Sequence, residues 1–116
     1  DGQLKAYGQL AAELGLDALV EAHSEEEVER ALKSDARIVG VNNRDLTNFQ
    51  VDIRNSIRLR QMVPREIPFV SESGIRTAQD MRELYENGTD AVLIGETLMR
   101  ASDKKKMLEE LRGGAV

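Results

Sequence analysis

Two carboxylates, an amide, a guanidinium and two glycine-bearing turns each stand directly after a short apolar run in this 116-residue chain. Glu21 follows Ala18-Leu-Val, and a carboxyl at a buried strand end can hold its proton and work as acid or base. Asn42 and Arg44 follow Ile38-Val-Gly-Val. The amide offers a donor and an acceptor to a hydroxyl, and the guanidinium offers a planar fork to a carboxylate. Glu72 follows Phe69-Val-Ser and can orient or ionise a cation beside it. Ser73-Gly74 and Gly95-Glu96 open turns ahead of helical patterns, where free backbone N–H groups can reach an anion. Each residue also has a plainer reading. Glu21 can be a rim residue or half of a structural ion pair, Asn42-Asn43 a turn with positive φ, and Arg44-Asp45 a local pair. The two glycine turns can be ordinary connections. His23 reads as capping or rim packing, since there is no second His.

These residues act together only if the elements behind them bring their ends to one face. The apolar runs predict strands at about 18–21, 38–41, 69–71 and 91–94. Their starts are 20, 31 and 22 residues apart, each enough for one strand-plus-helix unit. Leu4, Tyr7, Leu10, Ala11 and Leu14 recur at helical spacing, with Gly15 as a stop. Ser24 with Glu27 reads as a capping box before a helix with Val28, Ala31 and Leu32 inward. Asp52 can cap a helix bearing Ile53 and Ile57, ended by Pro64. Thr77 can cap one with Ala78, Met81, Leu84 and Tyr85 inward, stopped by Gly88. A short turn at 96–100 precedes a last helix with Met107, Leu108 and Leu111 inward. The four methionines read as core filling. The strands are almost wholly apolar, which predicts burial on both faces. The longest connection, 42–50, is polar and aperiodic, a place where function collects.

Composition narrows the classes. Hydrophobic residues make up 41% and charged residues 32%, a balance of globular domains. The net charge of −5 argues against nucleic acid or an anionic membrane as partner, though not against an anionic small molecule. With no Cys and one His, neither disulfides nor a metal cluster is expected. No apolar run approaches the ~18 residues of a membrane span, and no signal peptide is visible, so a cytoplasmic location is the default. The chain opens on Asp1 and enters a helix directly, which reads as a piece of something longer. The whole of 1–116 reads as one domain, a parallel α/β fold of four strands with flanking helices.

Val20-Glu21-Ala22-His23, Gly40-Val41-Asn42-Asn43-Arg44-Asp45-Leu46, Val70-Ser71-Glu72-Ser73-Gly74-Ile75 and Leu93-Ile94-Gly95-Glu96-Thr97-Leu98-Met99 resemble, in order and spacing, the last four strand segments of indole-3-glycerol-phosphate synthase. The resemblance implies the C-terminal half of a TIM (β/α)8 barrel, from helix four through helix eight. It implies a reaction in tryptophan biosynthesis that needs no cofactor. That reaction closes the indole ring of 1-(2-carboxyphenylamino)-1-deoxyribulose 5-phosphate with loss of carbon dioxide and water. Carried over by motif, Glu21 is an acid–base group and Asn42 holds substrate near the reacting carbons. Arg44 lies beside Asn42, Leu46 lines the anthranilate pocket, and Glu72 positions a catalytic lysine. Ser73, Gly74, Gly95 and Glu96 fall on the phosphate loops. Some members have Ser where this chain has Glu96, so its carboxylate is expected to turn away from phosphate.

The family's catalytic lysines belong to strands this chain does not contain, and no strand end here carries Lys. The 116 residues alone are therefore expected to be inactive. Bare edges call for a partner: the N-terminal half-barrel, a second copy, or cover by the first helix in an open flavodoxin-like sheet. Two rival readings are a non-catalytic phosphate-binding half-barrel and another sugar-phosphate barrel. The Asn-Asn-Arg-Asp-Leu segment argues against the second.

Overall fold

Helix and strand alternate as the apolar runs demand. The computed structural model describes residues 2–45 and 50–114. Their order is α1 (Gly2–Glu13), β1 (Leu19–Ala22), α2 (Glu25–Lys33), β2 (Ile38–Asn42), α3 (Arg54–Arg60), β3 (Phe69–Glu72), α4 (Ala78–Glu86), β4 (Ala91–Leu93), α5 (Glu96–Arg100) and α6 (Lys104–Gly114). The four strands are parallel and lie side by side in chain order. That order belongs to a barrel wall; a flavodoxin-like sheet reverses direction at its first strand. The flavodoxin-like strand order is thus not adopted.

Local chemistry sets the helix starts. Ser24 Oγ accepts from the Glu27 N–H at 3.3 Å, while Glu27 reaches back one residue further than a capping box requires, to the His23 N–H at 3.2 Å. Thr77 and Asp80 make the full reciprocal box ahead of α4. Asp52 does not cap α3 directly. It accepts from the Arg54 N–H at 2.9 Å, one turn residue ahead of the helix.

The strands bury one face, not two. Ala22, Val39, Val41, Phe69 and Ser71 point toward the helices and are buried. Together with Val28, Ala31, Leu59 and Val63, the apolar members of that set form one core cluster. Ile53, Ile75, Leu84 and Leu111 form a second between α4 and α6. The alternate strand residues lie on the uncovered face, where edge residues Leu19 and Leu93 are 43% and 59% exposed. The expectation of two buried faces fails because helices cover only one side of the sheet. The same absence of cover corrects the first helix: α1 has no buried residue, and Tyr7, Leu10 and Leu14 stand in solvent. Tyr85, Leu108 and Met99 are also exposed, although the periodicity or composition places them inward.

At the N-terminal end of the sheet Arg60 is buried with its guanidinium 5.2 Å from the Phe69 ring centre. It donates to the carbonyls of Ile67 (3.1 Å) and Arg65 (3.3 Å) and lies 3.7 Å from Asp90. Asp90 in turn accepts the Phe69 N–H at 2.9 Å. Burial lowers the Arg60 pKa from its ordinary value, and Asp90 opposes that shift.

Candidate functional site

Register decides which strand-end residues can meet. Glu21 pairs with Gly40, and Asn42 pairs with Glu72. Because side chains alternate across a sheet, Glu21, Gly40, Asn42 and Glu72 share the uncovered face. Gly40 has no side chain between the two glutamates. A Cβ there would meet Glu72 Oε2 at 2.5 Å, so the Glu72 carboxyl lies over the space that glycine leaves. Asn42 Nδ2 donates to Glu21 Oε1 at 3.2 Å, and Asn42 Oδ1 accepts the Arg44 N–H at 2.9 Å. His23 Nδ1 lies 2.8 Å from the Asn42 carbonyl and so carries the proton of that bond. Asn55 Nδ2 donates to the carbonyls of His23 and Asn42. His23 is a rim residue that helps fix Asn42, as its plain reading held.

Glu72 is only 6% exposed, and its Oε2 is buried with no hydrogen-bond donor among the described residues. Burial raises its pKa, and the neighbouring Glu21 raises it further. Among the described residues no lysine or arginine is ion-paired with Glu72. The five lysines, Lys5, Lys33 and Lys104 to Lys106, all stand on helices away from the strand ends.

Beyond β3 the backbone turns sharply. Ser73 and Gly74 both take positive φ, 69° and 77°. The conformation costs a non-glycine residue about 1–2 kcal/mol. At Gly74 a Cβ would also collide with Val51. Thr97 Oγ1 donates to the Ile75 carbonyl at 2.6 Å and so ties this turn to α5. A cavity of about 690 Å³ opens between the two turns. Arg44, Glu72, Ser73, Gly74, Gly95 and Glu96 all line it, and Glu21 and Asn42 adjoin it through the contacts above. Leu46 lies outside the described residues. The wall also holds Arg76 and Arg100, which the sequence reading did not single out. Arg100 sits one helical turn after Glu96, a spacing that could have revealed it.

The Glu96 carboxylate is held at 2.8 Å by Arg44 and at 3.1 Å by Arg100. Arg44 therefore pairs across the cavity and not locally with Asp45. Neither Asn42 nor Asn43 has positive φ, which corrects the turn reading of that pair. Three arginines line the cavity with Glu96, two of them paired to it, and with a Glu72 inclined to stay neutral, so the cavity suits an anion. Among the described residues no group of His, Cys, Asp or Glu is arranged to hold a metal ion, and no helix is long and apolar enough to cross a membrane.

Strands in chain order, with polar strand ends around one cavity, define a parallel α/β half-barrel. The solved structures it resembles have TIM-barrel-type folds. Thiamine phosphate pyrophosphorylase from Pyrococcus furiosus superposes over 97% of this chain and 54% of its own, with TM-score 0.75 and 26% identity. The KDPGal structure does so over 90% and 50%, with TM-score 0.67 and 15% identity. The family model for indole-3-glycerol phosphate synthase matches residues 1–111, and the chain belongs to that family. It is 61% identical over 112 residues to the indole-3-glycerol phosphate synthase of Ruminiclostridium cellulolyticum and 56% over 113 residues to that of Leuconostoc mesenteroides. Each match covers 97% of this chain and 43% of the relative, so the chain spans under half the length of the relatives it matches.

Proposed function

We propose that this chain supplies part of the acid–base apparatus and the phosphate site of an indole-3-glycerol phosphate synthase. That enzyme closes the indole ring of 1-(2-carboxyphenylamino)-1-deoxyribulose 5-phosphate with loss of carbon dioxide and water, in the cytoplasm and with no cofactor. One observation carries the reading: Glu72 lies over Gly40 at the wall of a cavity suited to an anion, on the same sheet face as Glu21, whose charge acts on it. Loss of water needs an acid for the departing hydroxyl and a base for the ring proton. Glu72, whose raised pKa favours keeping its proton, and Glu21 near it offer the two groups. Glu21 takes the acid–base role. Asn42, fixed by His23 and Asn55, holds the substrate at the reacting carbons, with Arg44 beside it on the anthranilate carboxylate. Leu46 lines the anthranilate pocket. The N–H groups of Ser73, Gly74, Gly95 and Glu96 receive the phosphate, while Arg44 and Arg100 keep the Glu96 side chain from repelling it.

The other half-barrel completes the site, and a second copy of this chain is the rival occupant of the bare edges. A lysine ammonium arriving beside Glu72 would lower its pKa and return it to the ionised form. Without that cation the 116 residues are inactive. The test mixes the purified chain with the remaining portion of the Ruminiclostridium cellulolyticum relative. It follows association by light scattering and indole-3-glycerol phosphate by fluorescence. Turnover is expected only in the mixture and is lost in Glu21→Gln. Turnover by the chain alone at ordinary enzyme rates would refute the division of labour, and an inert but associated mixture would refute the reading as a whole.

A further inference from the structure

Between β2 and α3 lies a buried side chain that none of the roles above uses. Asn43 is 3% exposed, and every polar group it owns is engaged. Its N–H donates to the Glu72 carbonyl at 2.8 Å, and its carbonyl accepts the Asp52 N–H at 3.2 Å. Its Nδ2 donates to Ser71 Oγ (2.9 Å) and to the Ser73 carbonyl (3.0 Å). Its Oδ1 accepts from both the N–H (3.0 Å) and the hydroxyl (2.7 Å) of Ser56. Ser56 Oγ and Ser71 Oγ lie 2.7 Å apart.

Proton counting gives these bonds a direction. A serine hydroxyl has one proton. That of Ser56 goes to Asn43 Oδ1, so the bond between the two hydroxyls uses the proton of Ser71. The ring then runs from Asn43 Nδ2 to Ser71, from Ser71 to Ser56, and from Ser56 back to Asn43 Oδ1, each member donating once to the next. Such rings reinforce themselves and hold one geometry. The remaining Nδ2 proton leaves the ring and lands on the carbonyl of Ser73, the one non-glycine residue of the left-handed turn.

We propose that Asn43 is a positioning residue that sets the Ser73–Gly74 turn and so aims its N–H groups at the bound phosphate. The inference rests on the phosphate reading of that turn for its functional half. Its structural half, the left-handed Ser73, stands apart from that reading. The ring braces three chain segments: Asn43 beyond β2, Ser56 in α3 and Ser71 in β3. A ligand at the turn therefore feels a residue that it does not touch.

The test uses the 15N,13C-labelled 116-residue chain with inorganic phosphate. Wild type, Asn43→Asp, Asn43→Ala, Ser56→Ala and the double variant Asn43→Ala with Ser73→Gly are compared. Asn43→Asp keeps the acceptor and deletes both side-chain donors. Cα and Hα shifts report the Ser73 conformation without ligand, and the Gly74 amide shift reports phosphate affinity. The Asn43 variants are expected to lose the left-handed signature at Ser73 and to bind phosphate about tenfold more weakly, the scale of one lost hydrogen bond. Ser56→Ala, the mildest opening of the ring, should cost about threefold. Glycine at 73 adopts the turn unaided, so the double variant should recover most of the affinity, which a general loss of stability would not allow. If wild type binds no phosphate, the phosphate reading falls and with it the functional half of this proposal, while the Ser73 shifts still decide the structural half. A left-handed Ser73 and unchanged affinity in whichever of these variants fold would overturn the proposal.

Discussion

Each end of the same four strands buries one ionisable side chain, and the two are partnered to different degrees. At the N-terminal end the Arg60 guanidinium is met by two carbonyls, the Asp90 carboxylate and the face of Phe69, and its Nε alone has no hydrogen-bond partner among the described residues. At the C-terminal end Glu72 has a second carboxyl for a neighbour and an oxygen with no donor. Burial alone does not separate structure from chemistry; what satisfies the buried group does. A partnered charge steadies a fold, whereas an unsatisfied one is a strain the fold carries for another purpose. Barrel proteins are organised in this way, with stability at one rim and reactivity at the other.

The largest effect should come from the Arg60 end. Arg60→Ala strands two carbonyls and opens a cavity, and is expected to cost about 3 kcal/mol in urea unfolding. A loss below about 1 kcal/mol, no more than one ordinary hydrogen bond, would erase the contrast. The Glu72 end should respond with the opposite sign. Because the Glu72 pKa is raised in the folded state, its stabilising contribution is full below the ordinary glutamate value and fades as pH rises through the raised one. Glu72→Gln removes that dependence and can donate to Glu21. On the alkaline side of the window it should be more stable than wild type by about 1 kcal/mol. Urea midpoints measured against pH in both proteins decide this, and parallel curves would count against the raised Glu72 pKa. The smallest effect is expected from Glu96→Gln. The Glu96 pair with Arg44 is half-exposed, and such pairs contribute about 0–1 kcal/mol. Its unfolding midpoint should barely move, which would mark the cavity's charges as fittings for a ligand and not as braces.

The strand runs, helix stops and Thr77 cap were legible because they are local: a few neighbouring residues decide each. The strand-end residues were legible for a different reason, since parallel topology sends every such residue to one rim. What sequence did not reveal is what covers a face. Leu10, Leu14 and Tyr85 have sound helical spacing yet stand in solvent. Periodicity says which residues share a side and nothing about a neighbour there. Asn43, Ser56 and Ser71 were invisible as a set because they are polar, far apart in sequence and of types that elsewhere make turns. Arg60 was hidden by its place in the last turn of α3, where a basic residue ordinarily faces water.

The chain-order sheet has a bearing on synthesis. The first paired residues of successive strands, Leu19 with Ile38, Val39 with Phe69 and Val70 with Ala91, lie 19, 30 and 21 residues apart. Each strand can dock on the one made just before it, so no pairing waits for a distant stretch of polypeptide to leave the ribosome. The wall can be laid one stave at a time, each strand docking on the edge left by the last.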